Sequence, residues 1–198
     1  MKRPRRVLRR ASVLSLASAV IAATLAGPAL ANTQTTPQGP TVKLVATANN
    51  LTVQSFGGTV ILDPGIYVVS LGSALQLDVQ RASYTKPVTV DQVIHLPGGG
   101  TATRPWPGSV LDGFNGLQDF VHLTVANASG TVVASSPEEF CPNSDDPQRA
   151  VPGSAQTSPF PQECAFDPFP KSLVMGIARG WGVDTFASLF QLAPGTYK

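Results

Sequence analysis

Ala74-Leu75-Gln76-Leu77-Asp78-Val79-Gln80 is the stretch that decides the fold class. Leu75, Leu77 and Val79 fall on one side and Gln76, Asp78 and Gln80 on the other, the period of two that an extended chain imposes. A strand with one apolar and one polar face packs on a core and meets water behind it, the habit of antiparallel sheets. Outward from it, residues 88–95 set Val88, Val90, Gln92 and Ile94 against Thr89, Asp91, Val93 and His95, with both faces mixed. Two flanking regions read as hairpins. Thr59–Leu62 and Ile66–Leu71 border Asp63-Pro64-Gly65, where proline fixes φ and glycine accepts a positive φ. Residues 120–126 and 131–134 border Asn127-Ala128-Ser129-Gly130, a turn of similar chemistry. Short strands at this spacing, punctuated by 18 glycines and 18 prolines, predict an all-β domain over residues 41–198. The expected architecture is an immunoglobulin-like or fibronectin-like β-sandwich.

Residues 136–171 interrupt the strand pattern: they are dense in Pro, Ser and Asp, lack periodicity and hold both cysteines. A stretch this long needs a tether inside a compact domain. Cys141 and Cys164 supply one, because two cysteines and no others in an exported chain read as a disulfide. The alternative, a metal or redox pair, lacks C-x-x-C spacing. Residues 173–192 carry apolar side chains at both helical and strand spacing. Gly176, Gly180 and Gly182 would each weaken a helix by about 1 kcal/mol, so a strand or a short helix around Trp181 is expected.

The N-terminus is ordered like a secretory leader. Lys2, Arg3, Arg5, Arg6, Arg9 and Arg10 precede an uncharged apolar run over residues 13–25, and Ala29-Leu30-Ala31 forms an A-x-A cleavage site before Asn32. A membrane anchor needs about 20 apolar residues; this run is shorter and breaks at Pro28. Arg9-Arg10 loosely resembles a twin-arginine signal, and both that route and the general secretory route stay open. The reading is a signal peptide over residues 1–31, a flexible linker over 32–40 and a secreted, extracellular domain with no stable membrane anchor after cleavage. Six of the 14 basic residues lie in the leader, which leaves 8 against 12 acidic residues, a formal charge of −4. No basic stripe remains to track a phosphate backbone, which argues against a nucleic-acid partner.

Groups suited to catalysis are sparse. His95 and His122 stand apart with no H-x-H or H-E-x-x-H spacing, so no transition-metal site or metal cofactor is expected from this segment. No G-x-S-x-G elbow occurs. Glu138-Glu139 and Asp145-Asp146 fall in the cysteine region without the alternate spacing and closing glutamate of a calcium loop. Gly98-Gly99-Gly100 lacks the Lys-Ser/Thr of a phosphate cradle. The sequons Asn50-Leu51-Thr52 and Asn127-Ala128-Ser129 imply surface positions at most. No catalytic residue is assigned.

Pro194-Gly195-Thr196-Tyr197 repeats Pro64-Gly65-Ile66-Tyr67, a turn that leads into a strand with the tyrosine hydroxyl near backbone. After Tyr197 only Lys198 follows, so the domain is expected to be incomplete. Leu77-Asp78-Val79-Gln80-Arg81-Ala82-Ser83-Tyr84, Val110-Leu111-Asp112-Gly113-Phe114-Asn115-Gly116-Leu117, Phe140-Cys141-Pro142-Asn143, Gly176-Ile177-Ala178-Arg179-Gly180-Trp181-Gly182-Val183 and that closing turn together resemble secreted bacterial lysyl-oxidase-like proteins, in their N-terminal β-sandwich region. The resemblance implies a copper-dependent amine oxidase domain downstream, with its copper and its tyrosine-derived quinone there. Contact between this segment and that domain would be intramolecular. The sequence alone thus predicts an accessory or binding module, or the N-terminal part of such an oxidase.

Overall fold

In the computed structural model, residues 39–144, 146–165, 167–185 and 188–198 are described. Alternation and glycine–proline punctuation give thirteen strands and no α-helix among them. In chain order these are β1 (Thr41–Ala46), β2 (Ser55–Phe56), β3 (Thr59–Leu62), β4 (Ile66–Leu71), β5 (Leu75–Gln80), β6 (Thr89–His95) and β7 (Thr101–Trp106). They continue with β8 (Leu117–Ala126), β9 (Val132–Phe140), β10 (Gln148–Arg149), β11 (Ser172–Ile177), β12 (Trp181–Asp184) and β13 (Ser188–Gln191). The sheets run β1-β4-β12-β10, β11-β5-β6-β7, β13-β3-β2 and β8-β9, and the pairings are antiparallel.

The expected all-β sandwich is what the chain builds. Its larger core lies between the β4–β12 and β11–β5–β6 sheets, where Val68 and Val183 face Leu77, Val79, Met175 and Ile177. Leu117 and Phe140 close one end of it. Each such side chain contributes about 1.5–3 kcal/mol by leaving water. Leu75, Leu77 and Val79 point inward, as their alternation requires. A second, smaller core gathers Val60, Val125, Phe190 and Leu192 between the β3–β13 sheet and the β8–β9 hairpin.

The expected hairpin between Thr59–Leu62 and Ile66–Leu71 does not form. β3 pairs with β2 and β13, whereas β4 pairs with β1 and β12. Asp63-Pro64-Gly65 is instead a corner between sheets. The Gly65 N–H donates to Asp63 Oδ1 at 2.8 Å, and the Gly65 carbonyl accepts from Thr47 N at 2.9 Å and Thr47 Oγ1 at 3.0 Å. Gly65 takes a positive φ of 55°, and a Cβ there would collide with Thr47 Oγ1.

The second hairpin does form and is longer than its sequence pattern indicates, since residues 136–140 belong to β9 rather than to the loop. Its turn is held by Asn127 Oδ1, which accepts from Ser129 N at 3.1 Å and Thr131 N at 2.9 Å. A further hairpin, β6–β7, turns through Gly98-Gly99-Gly100, all at positive φ. Pro105 sits in β7, the outer strand of that sheet, where a missing N–H is tolerated. Residues 173–192 resolve into β11, β12 and β13, so the strand alternative holds and the helix does not.

Candidate functional site

Cys141 and Cys164 are joined, with 5.9 Å between their Cα atoms, and both sulfur-bearing residues are buried in the larger core. The bridge anchors a connection that folds back over β11. Asn143, only 2% exposed, donates from Nδ2 to Val174 O at 2.9 Å and accepts at Oδ1 from Gly176 N at 2.7 Å. One carboxamide thereby satisfies the outer edge of β11 as a neighbouring strand would. Phe160, from the same connection, rests on Gly176 so closely that any Cβ at 176 would overlap its ring.

Phe160 and its flanking prolines form one wall of a groove of about 880 Å³ on the outer face of the β11-β5-β6-β7 sheet. Its floor is the polar side of the strand that fixed the fold class: Gln76, Asp78 and Gln80, joined by Asp91, His95 and Thr103. Gln76 Nε2 donates to Asp78 Oδ1 at 3.0 Å, which turns Gln76 Oε1 toward His95 Nε2, also 3.0 Å away. The amide can only accept there, so His95 carries its proton on Nε2. Asp78 stands directly opposite Asp91. Two like charges across a ladder repel, and a cationic or multiply hydrogen-bonding ligand would relieve them. The alternation of residues 74–80 and the mixed faces of 88–95 contained these groups, but only the register brings Asp78 and Asp91 together.

The remaining sequence candidates are dispersed. His122, on β8, contacts Ser135 Oγ at 2.5 Å and lies in a different sheet from His95 on β6. Among the described residues no three of His, Cys, Asp and Glu converge as a metal site. Glu138 accepts from Ser188 Oγ at 2.7 Å, a link between β9 and β13. Glu139 is held above the usual carboxylate range by burial and by Asp112. Asp145 lies outside the described residues, as do Ala29, Ala31 and Asn32 of the cleavage site.

The tyrosines have structural surroundings. Tyr197 donates to Ala193 O at 2.6 Å, the corner bond its Pro-Gly-x-Tyr turn predicts. Tyr84 has Arg81 4.8 Å and Lys171 5.0 Å from its ring centre, cation–π contacts that tie the end of β5 to the segment before β11. Tyr67 has its phenol pushed up by burial and by the carboxylates of Asp184, Asp146 and Asp63. Among the described residues no helix is long and apolar enough to cross a membrane. No protein family, curated protein or solved structure matches the chain.

Proposed function

We propose that the chain is a secreted, extracytoplasmic β-sandwich module that binds or supports a partner and has no catalytic centre of its own. The observation that carries this reading is the engagement of its most reactive groups in structural bonds. Cys141 is bonded to Cys164, His95 to Gln76 and His122 to Ser135. Nucleophilic and general-base chemistry needs such groups to converge on one reacting atom. The groove over Gln76, Asp78 and Asp91 offers polar contacts of the kind a binding module uses. The disulfide is compatible with an oxidising, extracellular location.

The resemblance to lysyl-oxidase-like proteins would make this module the companion of a copper amine oxidase domain. Two experiments test the reading. Intact-mass analysis of culture supernatant should find a form beginning at Asn32; retention in the membrane with Met1 intact would contradict secretion. The same secreted protein, loaded with Cu²⁺ and dialysed, should retain no stoichiometric copper and release no peroxide from primary amines. Amine-dependent peroxide release would overturn the non-catalytic assignment.

A further inference from the structure

We infer that the groove beside Phe160 is a seat for a neutral oligosaccharide. The inference names the ligand of the binding-module reading and rests on it. The floor is the face of a sheet whose backbone is already used in ladders: β5 lies between β11 and β6, and β6 between β5 and β7. Recognition therefore falls to side chains. The lining holds two carboxylates, Asp78 and Asp91, and among its described residues no lysine or arginine, a charge that repels an anionic ligand. Asp78 and Asp91 stand opposite one another, which sets their Cβ atoms about 4.5–5.5 Å apart. Gln76 Nε2 binds Asp78 Oδ1 at 3.0 Å, so Asp78 has its other oxygen to offer. Among the described residues the side chains of Gln80, Asp91 and Thr103 have no hydrogen-bond partner in the protein.

Carboxylates only accept, whereas the Gln80 amide and the Thr103 hydroxyl both donate and accept. A simple cation would satisfy Asp78 and Asp91 and leave Gln80 and Thr103 without partners. Neighbouring hydroxyls of a sugar ring suit all four, because each hydroxyl donates one hydrogen bond and accepts others. Two of them can donate one to each carboxylate across the ladder. The apolar wall completes the fit. Phe160 is fixed by its contact with Gly176, and Pro159 and Pro161 flank it. A ring already held by packing offers the C–H face of a sugar an apolar surface without first having to be ordered. Gln76, Asp78 and Gln80 alternate along β5, so the polar floor runs for about 14 Å at about 3.4 Å per residue. The groove, about 880 Å³, is of the size that takes an organic ligand, and its length suits several linked rings.

The probes are cellohexaose, chitohexaose and mannohexaose, with hexagalacturonate as the anionic control and pentalysine as the cationic one. Each is titrated into the purified secreted protein and followed by calorimetry and amide shifts. At least one neutral hexasaccharide should bind at millimolar concentration or below, with shifts centred on Gln76, Asp78, Gln80, Asp91 and Thr103. Hexagalacturonate should not bind. Asp91→Ala removes a carboxylate that has no hydrogen-bond partner in the protein, so the fold should stand. Affinity for the same sugar should fall about tenfold or more, equivalent to losing about 1.4 kcal/mol. If that variant fails to fold, Thr103→Ala should give the same loss from the neighbouring strand β7. No binding by any of the neutral sugars, shifts confined to another surface, undiminished affinity in the folded variant, or salt-sensitive binding of pentalysine in place of the sugars would each overturn the ligand assignment. Amine-dependent peroxide release by the same preparation would instead remove the module reading, so the two failures are distinguishable.

Discussion

The Asn143 carboxamide gives the edge of β11 one donor and one acceptor, and both of its backbone partners, Val174 O and Gly176 N, depend on it. Asn143→Ala should leave a buried amide and carbonyl unsatisfied, costing about 1–3 kcal/mol for each group that water cannot reach. Urea unfolding should show this as a lower midpoint with an unchanged slope; an unaltered midpoint would mean water replaces the side chain. Asn143→Asp should recover only the Gly176 bond, because a carboxylate has no N–H to donate. The residue was visible in Phe140-Cys141-Pro142-Asn143, but an asparagine among prolines, serines and aspartates reads as solvated. Its partners lie more than thirty residues along the chain, and no local pattern reveals them. Tyr67 makes a prediction of a different kind. Burial and the carboxylates of Asp184, Asp146 and Asp63 raise its phenol above the ordinary value of 10.0. Above that pH the unfolded chain loses this proton first, so the native state holds more protons and stability falls as pH rises toward the folded value. Tyr67→Phe should flatten the decline in unfolding free energy between neutral pH and pH above 10.0. An identical alkaline slope in both proteins would show that the phenol plays no part.

At the scale of elements, turn chemistry and pairing partner separate. Asp63-Pro64-Gly65 and Asn127-Ala128-Ser129-Gly130 look alike as punctuation, yet the second joins paired strands and the first turns a corner between sheets. A turn residue specifies local φ and ψ; the capture of Gly65 O by Thr47, eighteen residues away, sets the exit direction. The cysteine connection shows the converse. Its internal path was illegible because it lacks periodicity, but its anchor was legible from two cysteines and no others in a chain read as exported. Removing that anchor with Cys141→Ser and Cys164→Ser together should cost about 3 kcal/mol, from the chain-entropy treatment of a loop with a sequence separation of 23. Thermal unfolding should then begin at lower temperature, and limited proteolysis should cut first within residues 146–165, since Asn143 and Phe160 lose the tether that seats them on β11. Equal protease resistance in the two proteins would place the seating energy in Asn143 and Phe160 rather than in the bridge.

Across the molecule, the alternation of residues 74–80 located the larger core correctly, because strands of period two must bury one face. The division of the apolar residues into two cores was not legible, since it depends on which sheet each strand joins. That division has an energetic consequence. The larger core draws buried side chains from β4, β5, β6, β8, β9, β11 and β12, whereas the smaller rests on Val60, Val125, Phe190 and Leu192. The β2–β3–β13 sheet also turns Phe56, Ile61 and Leu189 outward, at 72%, 59% and 69% exposure, so much of its apolar area stays in water in the native state. Among the described residues, its attachment to β9 includes the side-chain bond from Ser188 to Glu138. Opening it uncovers the smaller core, Val60, Val125, Phe190 and Leu192, whereas opening the sheet of β5 and β11 breaks into the larger one, with Leu77, Val79, Met175 and Ile177 among its residues. Regions with few buried contacts open at lower free energy than the global transition. Native-state hydrogen exchange should therefore give the ladder amides of β3 and β13 lower opening free energies than those of β5 and β11. The denaturant dependence of the first group should also be shallower, because that slope scales with the surface exposed. A single opening free energy with one common slope across all four strands would show that both cores melt as one unit, with the β8–β9 hairpin transmitting the loss of either to the other.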